Sequence, residues 1–169
     1  MGLDMYLYAD AYLSRWAHST PEEKAAATSA VIAAGLEGLA SEENCGVTVR
    51  VEVGYWRKAN HIHQWFVDNV QGGVDDCGTY YVGAGELAEL RNTCETVIAG
   101  SALVPGAVSV GQRFNMETGQ FDDIVEQGKT IFDPAIAQEL LPVSQGFFFG
   151  STDYDEWYLM DVQHTVEVI

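Results

Sequence analysis

Hydrophobic and polar positions alternate in two places along the chain. Leu3, Met5 and Leu7 alternate with Asp4, Tyr6 and Tyr8, and Val47, Val49, Val51 and Val53 alternate with Thr48, Arg50 and Glu52. A period of two is the pattern of a strand with one face on a core, and β-branched and aromatic residues favour it. Both runs therefore read as strands, the valine run being the clearest half-buried one. Elsewhere the period is helical. Thr20-Pro21-Glu22-Glu23 is a helix start, with Thr as N-cap, Pro at the first helical position and Glu23 closing a capping box. Good helix formers carry that helix from Ala25 to about Leu39. A second helix is expected over about residues 58–70 and a third over about 86–99, where Leu87, Leu90, Cys94, Val97 and Ile98 fall on one face. Residues 106–129 read as a hairpin or loop excursion. Pro134 and Pro142 bracket a short helix over 135–141. The last helix is expected to begin at Thr152, with Asp155 completing a capping box and Trp157, Tyr158, Val162, Val166 and Ile169 facing the core. The sum is an α+β fold. It is expected as a single domain over 1–169, a small, mainly antiparallel sheet with about four helices packed on it.

Composition narrows the function classes. The 169 residues are 47% hydrophobic and 20% charged, enough for one core without staples. Twenty-five acids stand against 8 bases, a net charge of −17. Direct nucleic-acid binding and attachment to an anionic membrane both depend on dense Lys and Arg, so neither is expected. No run approaches the roughly 18 apolar residues of a membrane span. Three cysteines, Cys45, Cys77 and Cys94, form no C-x-x-C pair and read as free thiols of a reducing cytoplasm.

Against that acidic background one segment differs. Arg50, Arg57 and Lys58 fall within nine residues, and Tyr55-Trp56-Arg57-Lys58-Ala59-Asn60-His61-Ile62-His63-Gln64-Trp65-Phe66 adds two histidines and four aromatics. Stacking rings, cationic donors and an amide are what a nucleobase-plus-phosphate ligand needs. On a helical wheel Ala59, Ile62, Phe66 and Val70 form the apolar stripe. His63 flanks it on one side and Lys58, Trp65 and Asn69 on the other, while Arg57, Asn60, His61 and Gln64 lie on the polar face. The plainer reading makes Trp56 and Trp65 packing residues and pairs the bases with nearby acids. His61 and His63 are two apart, which on a helix aims them in different directions and disfavours a shared metal.

Two further clusters bear on chemistry. Asp75-Asp76-Cys77-Gly78 reads as a turn with Asx-type self-bonding. Gly146-Phe147-Phe148-Phe149-Gly150-Ser151-Thr152-Asp153-Tyr154-Asp155-Glu156-Trp157 leads a Ser-Thr pair into a helix N-terminus that could receive a phosphate, although its acids already complement the dipole. No G-x-S-x-G, phosphate-loop, H-E-x-x-H or dinucleotide motif occurs. His63 with an acid between Asp153 and Glu156 would make an acid–base pair if the fold joins them.

Several of these stretches together resemble a family of small, mainly bacteriophage-encoded proteins of unassigned function. The resemblance rests on Gly2-Leu3-Asp4-Met5-Tyr6-Leu7, on Val51-Glu52-Val53-Gly54-Tyr55-Trp56-Arg57-Lys58-Ala59-Asn60 with Ile62-His63 and Trp65-Phe66-Val67, on Val74-Asp75-Asp76-Cys77, and on Leu140-Leu141-Pro142 with residues 146–158. It covers most of the chain. His63 falls on the family pattern, His61 at a variable position, and residues 106–129 are an expansion relative to it. The resemblance implies a setting, the cytoplasm of an infected bacterial host. In that setting the patch favours binding of a small nucleotide-like ligand, for example a sequestered host defence signal. The expected contacts are Arg57 or Lys58 with Ser151 or Thr152 on phosphate, and Trp65, Tyr154 or Trp157 on a base, with Tyr55, Trp56, Asn60 and His63 beside them. The alternatives are an acidic DNA mimic or protein-binding inhibitor, carried by acids such as Glu42, Glu43, Asp122 and Asp123, and a small hydrolase or phosphodiesterase using His63. The missing nucleophile signature weighs against an enzyme. Neither a cofactor nor a metal is implied, and assembly of copies is left open.

Overall fold

In chain order the computed structural model places β1 (Asp4–Ser14), α1 (Pro21–Ala33), β2 (Gly46–Arg57), α2 (Asn60–Asn69), α3 (Ala84–Gly100), β3 (Leu103–Asn115), β4 (Gln120–Ile131), α4 (Ala135–Leu140) and α5 (Glu156–Val168). It describes residues 3–38, 45–146 and 150–169, with Phe121 as backbone only. The fold is α+β. Instead of one sheet with about four helices, the described residues form two antiparallel two-stranded sheets, β1–β2 and β3–β4, and five helices. The chain divides into two compact units: Met1–Met5 with Gly54–Ile169, and Tyr6–Val53. No helix among the described residues is long and apolar enough to cross a membrane.

The second unit holds most of β1 and β2, and α1. Thr20 caps α1 as expected: its hydroxyl accepts from the Glu23 N–H, and the Glu23 carboxylate accepts from the Thr20 N–H. Such a cap stabilises a helix by about 1 kcal/mol. The helix ends at Ala33, short of the expected boundary, whose last residue Leu39 lies outside the described residues. Gly35 stops it. At φ +68° it accepts the left-handed conformation, and the Gly35 and Leu36 N–H groups close back on the Ile32 and Val31 carbonyls. The strands are longer than expected and their surroundings differ. Val49, Val51 and Val53 are exposed, so the valine run is a strand but not a half-buried one.

In the larger unit the core lies among helices. Leu90, Cys94 and Val97 of α3 and Tyr158, Leu159, Val162 and Thr165 of α5 are buried, with Ile62 and Phe66 of α2 and Ala137 of α4. Residues 106–129 lie within a hairpin that pairs Leu103 with Ile131 and Asn115 with Gln120, with a register shift at Ser109/Gly111. Glycine lets its base meet α5: a Cβ on Gly128 would lie 2.6 Å from a Val108 methyl and 3.0 Å from Glu156 Oε1. α5 starts at Glu156, not Thr152. Asp155 is the N-cap, and its Oδ1 accepts from the Trp157 and Tyr158 N–H groups at 2.9 and 3.0 Å. The preceding residues instead extend along β4, where the Ile131 N–H donates to the Tyr154 carbonyl and Thr130 bridges to Asp155. With the start moved, Trp157 points outward, 55% exposed, while Tyr158 takes the core position.

Candidate functional site

The segment between β2 and α2 carries the cationic patch. Lys58 and Ala59 are not helical. Lys58 sits at φ +63°, a left-handed conformation that costs a non-glycine residue about 1–2 kcal/mol. Ala59, at φ −74° and ψ 73°, is the centre of an inverse γ-turn closed by the Asn60 N–H on the Lys58 carbonyl at 2.9 Å. Neighbours hold this turn in place. The Lys58 N–H donates to the Leu3 carbonyl at 2.7 Å, and Gly150, at φ +83°, packs so closely that a Cβ there would lie 3.0 Å from Lys58 Cβ.

Asn60 fixes the junction from below. Its side chain is buried, donates to the Ser151 carbonyl at 2.9 Å and accepts from the Ser144 N–H at 2.9 Å. The Ser144 hydroxyl donates in turn to Gln64 at 3.2 Å. The segment before α5 is thereby joined to the start of α2. At the surface of this junction Arg57, Lys58, Ser151 and Thr152 are exposed. Among the described residues neither Arg57 nor Lys58 forms an ion pair. The Ser151 hydroxyl accepts from the Asp153 N–H at 3.1 Å. Phe147, Phe148 and Phe149, part of the same motif, lie outside the described residues.

Several expected ligand contacts are instead internal. Trp56 is 2% exposed; its indole N–H donates to the Thr165 hydroxyl at 2.9 Å and its ring meets His164 edge-on. Trp65 is buried with its ring at right angles to Phe66, so it has no face for a base. Tyr154 is half-buried, its hydroxyl accepting from the Val143 N–H at 3.1 Å. Tyr55 is exposed and donates to Asp4. Trp157 is exposed. Asn60 is a buried staple and not a ligand donor.

The two histidines part as their spacing requires, but neither is on a polar surface. His61 is 3% exposed and its ring lies tilted against that of Tyr158, centroids 4.2 Å apart; burial pushes its pKa down to about 3, so the imidazole is neutral. That overturns its assignment to the polar face. His63 is buried and bonds Asp75 at 3.1 Å. The hydrogen bond from His63 holds the Asp75 carboxyl below the usual carboxylate range. The acid partner of His63 is therefore Asp75, not one of residues 153–156. Asp75 and Asp76 form the expected turn, accepting from the Cys77 and Gly78 N–H groups with Cys77 at φ +58°. Among the described residues no three metal-ligating side chains converge.

Two other titratable groups are shifted by burial. Burial pushes the Cys94 thiol up to about 12 and the Asp161 carboxyl up to about 6. All three cysteines are free. The acids named for DNA mimicry are in part engaged: Asp122 and Asp123 accept from Asn115 and Gln112, while Glu42 and Glu43 lie outside the described residues. The Asn60 staple and the Asp75 partner were missed in the sequence because each is fixed by a tertiary contact. The Lys58-Ala59 break carried no glycine or proline to announce it. No family model, curated protein or solved structure matches the chain, so the site stands on its own geometry.

Proposed function

We propose that the junction of the Lys58 turn with residues 150–152 binds a small anionic, nucleotide-like ligand. Arg57 and Lys58 would hold the phosphate, the Ser151 and Thr152 hydroxyls would complete its shell, and the exposed Trp157 ring would receive a base. The observation that carries this reading is the left-handed Lys58, clamped between Leu3 and Gly150 and stapled by Asn60. Strain of this kind persists only where surroundings over-determine it, and it clusters at ligand clamps. Here it presents two cations without ion-pair partners among the described residues, in a chain of −17. The resemblance to phage-encoded proteins supports the cytoplasm of an infected bacterium as the setting, in which a host defence signal is one example of such a ligand.

Amide NMR titration with linear and cyclic nucleotides tests the reading. Saturable shifts are expected at Lys58, Ser151 and Thr152 and at the Trp157 indole, with the His61 and Val97 amides unmoved. A panel that shifts none of the four, or shifts a different surface, contradicts it.

A further inference from the structure

Three acids follow the Ser151-Thr152 pair, and they are not alike. Asp155 is buried, and its Oδ1 caps α5 by accepting from the Trp157 and Tyr158 N–H groups. Glu156 is half-buried, and its Oε1 accepts from the Lys129 N–H at 3.2 Å. Asp153 is exposed, and among the described residues its carboxylate forms no ion pair. Its N–H donates to the Ser151 hydroxyl at 3.1 Å, which leaves the Ser151 proton for another acceptor. Its charge is felt nearby: burial pushes the Asp155 carboxyl up, and Asp153 adds to the rise. Beside a phosphate site such a carboxylate is unfavourable on charge alone. Gly150 packs on Lys58, and Asp153 lies three residues further, at most about 11 Å of chain, comparable with the screening length of about 8–10 Å. Asp153 therefore weakens a bare anion held by Arg57 and Lys58. It becomes favourable for a ligand that also brings hydroxyl donors.

Resting on the reading of this junction as a nucleotide site, we infer that Asp153 accepts from the ribose 2′- and 3′-hydroxyls of the ligand and restricts it to ribonucleotides. The order of groups fits. Hydroxyls at Ser151 and Thr152 stand on the phosphate side, the Asp153 carboxylate comes next, and the exposed Trp157 indole follows. In a nucleotide the sugar likewise lies between phosphate and base. A carboxylate has two acceptor oxygens and no donor, so it accepts from both members of a vicinal diol at once. A 2′-deoxyribose supplies only one of the two hydroxyls, and the 2′-hydroxyl is the group by which proteins tell the two sugars apart. Hydrogen bonds to a charged acceptor are the strong class, and a site built around one rejects the analogue that lacks the hydroxyl.

Titration with the four ribonucleoside 5′-monophosphates and their 2′-deoxy counterparts tests this, by calorimetry and at the Lys58, Ser151 and Thr152 amides. For the base that binds most tightly, the ribonucleotide is expected to bind about tenfold or more above its deoxy form. Asp153→Ala keeps the N–H that bonds Ser151 and should erase that ratio by weakening the ribonucleotide. Asp153→Asn has the same shape with one acceptor and no charge; it should shrink the ratio, and it decides should the alanine variant not fold. Ribo and deoxy forms of equal affinity at those amides, or a ratio unchanged in the variants, overturn the role of Asp153 and leave the junction a nucleotide site. If none of the eight moves those amides, the nucleotide reading itself falls, and the ribose contact with it.

Discussion

α2 and β2 reverse each other's sequence patterns. α2 follows a helical period with one apolar stripe and an apparent polar face, yet Asn60, His61 and His63 are as buried as Ile62 and Phe66. β2 alternates like a strand with one covered face, yet Val49, Val51 and Val53 are open. The pattern reports the period of the backbone correctly in both. What it leaves out is the neighbour: polar side chains enter a core when distant residues meet their hydrogen bonds, and an alternating strand is covered only where another element packs on its apolar face.

Substitutions can break or sharpen that contrast. The largest effect is expected at Trp56, where loss of a buried indole and of its bond to Thr165 should destabilise Trp56→Ala by about 3–5 kcal/mol in urea unfolding. Val51→Ala on the same strand should cost less than about 1 kcal/mol in dilute protein.

Next comes the acid response of His61. Its folded pKa of about 3 lies below the ordinary 6.5, so the unfolded chain binds the extra proton between those values. The stability tied to a neutral His61 is complete above pH 6.5 and falls as pH drops toward 3, by a few kcal/mol at the limit, about 1.4 per pH unit. Asp161 acts in the opposite sense. Its pKa of about 6 lies above the ordinary 3.8, so its contribution is complete below 3.8 and lost by about pH 6. His61→Phe keeps a ring against Tyr158 and should flatten the acid arm of the parent's stability curve. Asp161→Asn should raise stability by about 1–2 kcal/mol at pH 7, with the gain vanishing near pH 4.

Asn60→Ala follows, leaving the Ser144 N–H and the Ser151 carbonyl without their buried partner. A loss of about 2 kcal/mol is expected in thermal or urea unfolding, together with faster exchange of the Ser144 amide. The smallest expected loss is at Gly150→Ala, about 1 kcal/mol or somewhat more, because alanine must hold φ +83° with its Cβ against Lys58.

Local chemistry was readable in the sequence, and distant chemistry was not. The Thr20–Glu23 box depends on four consecutive residues and stands as expected. The stop at Gly35 hid behind a run of alanines. Two acceptable N-caps, Thr152 and Asp155, compete before α5, and the pairing of residues 154–155 with β4 decides between them. The candidate site divides the same way. Arg57, Lys58, Ser151 and Thr152 were named from residue type and remain exposed, whereas Trp56 went inside against Thr165 and His164 of α5 and Trp65 against Phe66.

Lys58→Gly tests the binding junction most directly. Glycine adopts φ +63° without strain, so the turn and the fold survive while the ammonium is lost. Calorimetric titration of parent and variant with the nucleotide that binds the parent most tightly should show affinity about ten- to a hundredfold weaker in Lys58→Gly, with a melting temperature equal to or above the parent's. Unchanged affinity in a stably folded Lys58→Gly would contradict the junction as the site.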